Sequence, residues 1–564
     1  MITQLRIRKR STLLMSARRF DKKALLLATT VRNPERFPAF LAALKPFDGT
    51  IFDESVARKV AQTLIRIREY NPNTAIKNVT ELTKYKGTDD EMSDNDALTA
   101  VNWALEHLSG HGVGGFPKKS WGGRAVEWFG LMQELGAVRI EKDKEIKFSS
   151  FGNDMARVYS DESVQNADAL VANFWLNGMM KLQPKSPFRS GTIENRPFVL
   201  MLDVILKLSD KFGPDDPGLS RAEISFLLNW DGSDAQEFLD YILNIRSHFG
   251  KQISSDLVYE LVMNNDHMLK GESETRFKKP QIVQDIVDDW MRKSRMTGII
   301  QLRGLGRYLD ILPEEEDKAR YIVKNYGVFN DTMDMDQYFS SVSTFDENIR
   351  FSEAAPVVDH IDEKMKAINQ FADELSWDEL VYELSVLKGG NKSSKHDLLK
   401  LIRDPLRFEF LSAIATRKSF PKALIEANYS ADDEGLPKST AIGNIPDLFA
   451  KDDTTGVTIE VTLQTSKSQA TNEIPAISRH LAAIKKQYDR DDYFTVFVAK
   501  GLHPDSQFMA DFAYARDGQL ISTYGITEFA KKMSHSSNIS DLRKKPEFLE
   551  KLKCNKKVRH FYKF

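Results

Sequence analysis

Apolar residues recur at helical spacing through most of the chain and switch to strand-length alternation in a few short places. Asn33-Pro34-Glu35 predicts a helix start, with Asn33 as cap, Pro34 in the first turn, and Phe37, Phe40, Leu41 and Leu44 following on one face. Phe47-Asp48-Gly49 predicts the turn that closes it, and a second helix is expected over 54–70. The pattern then gives a helix over 94–108, a glycine-rich stretch over 110–115, Ser120-Trp121-Gly122-Gly123-Arg124, and a helix over 125–135. Residues 138–140 and 146–148 alternate around the turn Lys142-Asp143-Lys144. Helix, turn, helix and a two-stranded wing is the order of a winged helix. The glycines lack the Lys-Ser/Thr ending of a phosphate loop. The order recurs further on, with helices over 197–211, 219–230, 233–249 and 279–295 and a hairpin of 298–302 with 307–309 about Gly304-Leu305-Gly306. Residues 311–380 show no strand pattern and a helical run over 357–375, and residues 388–395 (Lys-Gly-Gly-Asn-Lys-Ser-Ser-Lys) have hinge composition.

Beyond 400 the pattern changes. A helix over 407–414 carries Glu409 among Phe408, Phe410 and Leu411, and short strands follow at 446–450 and 457–462. A helix over 474–487, a buried strand over 493–499, a helix over 508–514 and a strand over 520–523 complete the segment. The expected architecture is multi-domain α+β. Its parts are a basic N-terminal segment (1–90), a winged-helix domain (91–165), a second one (190–310), an acidic helical linker (311–395) and a C-terminal α/β domain (396–564).

Composition narrows the class. The 564 residues are 41% hydrophobic and 28% charged, which is ordinary for a globular chain. No apolar run is long enough to span a bilayer, and the basic start is not followed by the apolar core of a secretory signal. The single cysteine, Cys554, permits no internal disulfide and fits a reducing compartment, so the cytoplasm is expected. The net charge of −2 hides a block structure. Residues 1–70 hold 15 Lys/Arg against 6 Asp/Glu, residues 310–380 hold 6 against 18, and the last 24 hold 9 against 3. Basic segments can sit on phosphates while an acidic connector stays off them.

The candidate chemistry lies in the last domain. Two adjacent strands can bring Asp447 and Glu460 together at one end of a sheet. Two carboxylates about 4 Å apart repel by roughly 4 kcal/mol at an effective dielectric of about 20. A divalent cation removes that cost, and oxygen-only ligands favour Mg²⁺, which keeps several waters and bridges to phosphate. Glu460 lies in an otherwise apolar strand, and Glu409, Glu473 and His480 flank the pair on helices. Glu473 and His480 are two helical turns apart and share a face. Each feature also has a plain structural reading: Pro-Asp turns are common, a strand Glu is often a solvated edge residue, and a lone His is more often packed or exposed than catalytic.

Taken together, Gly443-Asn444-Ile445-Pro446-Asp447, Glu460-Val461-Thr462, Glu473 and Arg479-His480 resemble the catalytic domain of the AlwI-type family of type IIS restriction endonucleases, which includes strand-specific nicking relatives. Arg32-Asn33-Pro34-Glu35, the Phe47-Asp48-Gly49 turn and the two winged segments resemble its N-terminal recognition region. The resemblance implies a PD-(D/E)XK nuclease fold and hydrolysis of DNA phosphodiester bonds at a fixed distance from a short asymmetric site. Mg²⁺ is the implied cofactor, with Mn²⁺ able to substitute. Asp447, Glu460 and Glu409 would hold the metal, and Glu473 and His480 would line the site. The lysine of the wider superfamily is replaced by Thr462, which leaves Gln464 and Lys467 as candidates for a phosphate contact. Lys118, Lys119, Ser120 and Arg124, at the start of a recognition helix, and Arg18, Arg19 and Arg32 in the basic block are the candidate DNA contacts. Double-stranded DNA is the implied partner. A transient homodimer or a small second subunit would serve second-strand cleavage, and a cognate methyltransferase in a prokaryotic cytoplasm would be the genetic partner. Two other readings stay open: a modification-dependent nuclease, and a winged-helix DNA-binding regulator with an inactive C-terminal domain.

Overall fold

The computed structural model describes residues 24–27, 30–86, 91–107, 113–161, 164, 167–190, 193–328, 333–351, 360–389, 393–440, 445–464 and 469–546. Arg18, Arg19, Lys467, the Gly443-Asn444 pair and Cys554 lie outside the described residues. Mixed helix and strand are present, with helices dominant and the sheets small. Among the described residues no helix is long and apolar enough to cross a membrane.

In the first half, Pro34–Arg36 forms a 3-10 turn that runs into the helix Phe37–Leu44. The Asn33 side chain makes no cap hydrogen bond, contrary to expectation. Pro34 at the first position and the burial of Phe37, Phe40, Leu41 and Leu44 set this start instead. The helix Glu54–Arg66 stops short of Tyr70, because Arg68 takes a left-handed φ of 64°.

The helices Asp94–His107 and Trp121–Glu134 and the antiparallel pair Val138–Arg139 and Lys147–Phe148 stand in the predicted order. The second of these helices begins at Trp121 rather than residue 125, because the two glycines are not a turn: a Cβ on Gly122 would lie 2.1 Å from the Phe116 ring, so the helix starts where that ring packs. Further on, Leu219–Ser220 is a short strand rather than a helical turn. It joins the hairpin Ile300–Arg303 and Tyr308–Ile311 as a third strand.

The acidic stretch is divided between two neighbours. The helix Glu316–Tyr326 packs on Pro197–Phe212, whereas α1 (Ile361–Glu374) and α2 (Trp377–Val386) pack on α3 (Asp404–Ser419). Most of the acids are on the outer faces, Glu383 on α2 being buried, and residues such as Ala319, Ile322, Ile368, Phe371 and Leu384 are buried with it.

The last segment forms a five-stranded sheet. Its strands are β1 (Leu424–Ala427), β2 (Leu448–Lys451), β3 (Gly456–Thr462), β4 (Phe494–Ala499) and β5 (Ile521–Gly525), in the spatial order β5-β4-β3-β2-β1. β4 and β5 run parallel to β3, and the β1 and β2 pairings are antiparallel. α4 (Ile474–Tyr488), α5 (Pro504–Asp517) and α6 (Ile526–Met533) surround the sheet together with α3. β4 is buried at every residue, as its unbroken Phe-Thr-Val-Phe-Val-Ala run predicts for a central strand.

A small hairpin of residues 430–439 leaves this segment and docks on the Ile300–Ile311 hairpin of the first half. Asp433 accepts from Arg303 at 2.9 Å and Gln301 at 3.3 Å, and Glu434 accepts from the backbone N–H of Gly304 at 2.7 Å and of Leu305 at 3.3 Å. Beside it, Asp168 accepts from Arg403 at 2.9 Å and from Thr440 N at 3.0 Å. Gly435, at φ 80°, turns the hairpin so close to α1 that a Cβ would lie 2.1 Å from the Glu363 carbonyl oxygen.

Candidate active site

The pairing of β2 with β3 places Leu448 opposite Ile459, so Asp447, just before β2, comes level with Glu460. Asp447 is fixed from two sides. Its Oδ2 accepts from Val461 N at 2.8 Å, and its carbonyl accepts from Asn428 N at 3.0 Å. Asn428 also donates through Nδ2 to the Pro446 carbonyl at 2.7 Å. The Pro-Asp step is therefore anchored by the residue that follows β1. The turn between β2 and β3 is held by Asp452, whose Oδ1 accepts from Thr454 N at 2.8 Å and Thr455 N at 2.9 Å.

Glu460 is buried at 7% exposure, and its Oε1 lies 2.8 Å from His480 Nδ1 on α4. Burial and the neighbouring Glu460 hold the Asp447 carboxyl well above the usual range, against the opposing Val461 N–H. Burial, with Glu473 adding repulsion, pushes Glu460 to about 8. Burial lowers His480, against the pull of the Asp447 charge, which favours the neutral imidazole beside Glu460. Thr462 donates through Oγ1 to Glu473 Oε1 at 3.4 Å and accepts from Gln464 N at 3.2 Å.

Asp447, Glu460, Glu473 and His480 thus form one electrostatic group. Glu409 is placed differently. It is buried on α3, which packs against β2 and β3, and its charge acts on Arg403, while the charge acting on Glu460 is that of Glu473. Among the described residues no three His, Cys, Asp or Glu side chains form a closed metal cage. The donor set is nonetheless one that a divalent cation fits. Two carboxylates are held side by side, both driven toward the neutral form by burial, and a cation would stabilise the ionised form of each.

Residues 347–526 match the AlwI restriction endonuclease family. The match makes the chain a DNA endonuclease of the restriction class, and the AlwI segment holds every candidate acid of the site and His480. It begins inside the acidic stretch, so the winged segments and residues 32–49 lie outside it. No curated protein matches the chain.

Among solved structures, the small subunit of the heterodimeric restriction endonuclease R.BspD6I is similar at 19% identity, over 33% of this chain and 86% of that one, with a TM-score of 0.22. The restriction endonuclease FokI aligns at 10% identity over 91% of this chain and 97% of its own, with a TM-score of 0.23. FokI bound to DNA aligns at 10% over 93% and 98%, with a TM-score of 0.22.

The candidate DNA contacts are spread out. Lys118, Lys119 and Arg32 are exposed, and Arg124 is paired with Glu127 at 3.2 Å. Ser120 differs from expectation: it is buried, and its hydroxyl caps Gly123 N at 2.9 Å. The first N–H groups of that helix are also spoken for, because the Glu54 carboxylate accepts from Trp121 N and Gly122 N, each at 2.9 Å. An internal carboxylate already fills the anion position at this helix start. Trp121 is fully buried against Tyr70 and Trp128.

Two polar residues that position the site escaped sequence reasoning. Asn428 is one. The other is Gln469, which is fully buried and bonds the Gln464 and Gly501 carbonyls, His503 N and Ser506 Oγ. It ties the segment after β3 to the start of α5. Neither residue belongs to a periodic pattern, so no local signal marks them.

Proposed function

We propose that this restriction endonuclease is a Mg²⁺-dependent type IIS enzyme that hydrolyses DNA at a fixed distance from a short asymmetric site, with a PD-(D/E)XK catalytic segment at 396–564. The observation that carries this reading is the registered pair Asp447 and Glu460, buried together, both raised, with His480 on the second carboxylate. Asp447 and Glu460 would hold the metal, His480 would orient Glu460, and Glu473 would set the field around them. Mg²⁺ bound there supplies a Lewis acid for the phosphoryl oxygen and acidifies a water to make the nucleophile. Glu409, buried on the far side of the strands, would support the site from α3. Gln464 and Lys467 stand nearest in sequence for a phosphate contact.

Recognition would fall to the first half, through its two hairpin-bearing segments. Lys118, Lys119, Arg32 and Arg124, with Arg18 and Arg19, would contact mainly phosphates. One carboxylate pair cuts one strand, so a second copy or a small catalytic subunit would complete a double-strand break, and the chain alone would nick. The test is direct. Asp447→Ala or Glu460→Ala should abolish Mg²⁺-dependent plasmid cleavage while leaving specific DNA binding in Ca²⁺ intact; undiminished cutting in both variants would overturn the site.

A further inference from the structure

The AlwI segment and the chain that follows it form a second concave surface, at the edge strand β5. It is an open groove of about 360 Å³ between α6 and residues 543–544. Lys531, Lys532, Arg543 and Lys544 line it against a single acid, Glu528. Two of these cations are built into the fold. Lys544 lies over the Tyr524 ring at 3.8 Å and meets the Thr523 carbonyl and Glu528, each at 2.6 Å. Arg543 donates to Thr455 Oγ1 at 2.8 Å and to the Asp492 carbonyl at 2.6 Å. Lys531 and Lys532 follow one another on α6, and among the described residues neither ammonium has a hydrogen bond or an ion pair within 4 Å, although the Lys532 charge is felt at Asp541. The basic character continues along the chain, since residues 551–564 hold six Lys/Arg and no Asp/Glu.

Strand register fixes where this groove stands relative to the carboxylates. Glu460 pairs with Phe497 on β4, and Phe497 pairs with Thr523 on β5. Thr523 is therefore level with Glu460 and two strands away, roughly 10 Å across the sheet. Glu460 turns to His480 on α4 and Thr523 to Gln507 on α5, whereas Tyr524 turns to the opposite face and meets Phe529 of α6. The groove thus lies past the β5 edge, beside the carboxylates rather than among them. Duplex DNA carries about one charge per 1.7 Å of axis, so a duplex seated on the carboxylates presents on the order of six more phosphate charges over that distance. A protein partner is served by exposed apolar anchors, and this groove offers none, because Tyr524 is buried beneath Lys544.

We propose that this groove is a second DNA site: Lys531 and Lys532 take backbone phosphates of the duplex beside the cut and hold the catalytic segment on DNA whatever the base sequence. This rests on the reading that Asp447 and Glu460 mark the cut. The 430–439 hairpin, which holds the first half, leaves the sheet between β1 and β2, at the edge opposite β5. The groove therefore meets the flank on the side of the cut away from recognition. Its lysines stand off the scissile phosphate, so they set affinity and leave the bond-breaking step unchanged.

The experiment compares full-length wild type, Lys531→Glu/Lys532→Glu, Lys531→Arg/Lys532→Arg, the control Lys324→Glu/Lys366→Glu and Asp447→Asn. The control makes the same change of charge at exposed helix positions of the acidic stretch. Each protein is titrated in Ca²⁺, over a range of salt, with a site-free duplex and with duplexes carrying the recognition site whose far flank is kept or trimmed to the cut. The glutamate pair should bind both long duplexes about tenfold more weakly, with a log–log salt slope shallower by roughly 1–2, and match wild type on the trimmed one. The arginine pair should bind as wild type, and all three lysine variants should melt with wild type and cut at its rate in Mg²⁺ at saturating enzyme. Unchanged affinity and slope, an equal loss in the control, a loss that persists on the trimmed duplex, or a slower saturated rate would each overturn the assignment. A changed sedimentation of the DNA-free protein in place of a DNA defect would do the same, by marking the groove as a protein contact. Wild-type cutting by Asp447→Asn would overturn the carboxylate site and leave these titrations standing, so the two failures are distinguishable.

Discussion

At the scale of single residues, burial drives the paired carboxylates toward their neutral forms. Glu460 titrates at about 8 in the folded chain against 4.5 for an ordinary glutamate. Between those values the folded state keeps a proton that the unfolded state has released, so stability falls as pH rises through that window. A divalent cation bound there as proposed would compete with that same proton, so its affinity should climb over the same range. In EDTA, the melting temperature should therefore decline from pH 5 to pH 8. Glu460→Gln should flatten the decline and be more stable than wild type at pH 8 by about 1–3 kcal/mol. Thermal melts across pH check this, and an equal slope in the variant would refute it. Glu460 could be picked out in the sequence as a carboxylate in an otherwise apolar strand, Asp447 by its Pro-Asp step on the adjacent strand, and His480 by its two-turn spacing from Glu473. The fate of Ser120 could not, because its role depends on Glu54, which arrives from a distant helix to fill the same helix start.

Among elements, the strands that carry the carboxylates were legible from alternation alone. The antiparallel register of β2 and β3 follows from their tight connection. The edge strand β1 was not, since Leu424 and Glu426 are exposed and the strand is defined only by its pairing with β2. The helix Glu316–Tyr326 was also missed, because its charge obscures a narrow apolar stripe that becomes visible only against Pro197–Phe212. Gln469 shows the same limit most clearly, since its partners lie on two separate segments, Gln464 after β3 and residues 501–506 at the start of α5. Gln469→Ala would leave the Gly501 carbonyl and His503 N–H without their partner, at a cost of about 2–4 kcal/mol. It should also slow cleavage by loosening the segment that follows Thr462. Urea unfolding and single-turnover rates measure the two effects, and a stable, fully active variant would deny Gln469 this role.

For the whole molecule, composition and charge suggested separable parts joined by an acidic connector, whereas the structure joins the halves through partly buried ion pairs and carboxylate-to-backbone hydrogen bonds. Asp433 and Glu434 meet the Ile300–Ile311 hairpin, and Asp168 meets Arg403. Such pairings are invisible to any local pattern. Six of the seven tryptophans, all but Trp377, lie before residue 300 and report on the first half. In wild type, tryptophan fluorescence and far-ultraviolet circular dichroism should follow one urea transition. In Asp433→Ala/Glu434→Ala, the two probes should separate, with the linkage weakened by about 2–4 kcal/mol. Coincident, unshifted transitions in the variant would refute the coupling.

The 430–439 hairpin also bears on how such an enzyme could be re-engineered. Its chain runs on toward Pro446-Asp447, so Asp433 and Glu434, which grip the first half, lie 14 and 13 positions before the first candidate carboxylate. A chimera that moved 396–546 alone onto a foreign recognition half would strand Asp433, Glu434 and Arg403 without their partners. The transferable cassette is discontinuous: it includes the 300–311 hairpin and Asp168, and a specificity swap should cut around both rather than at the glycine-rich stretch near 390.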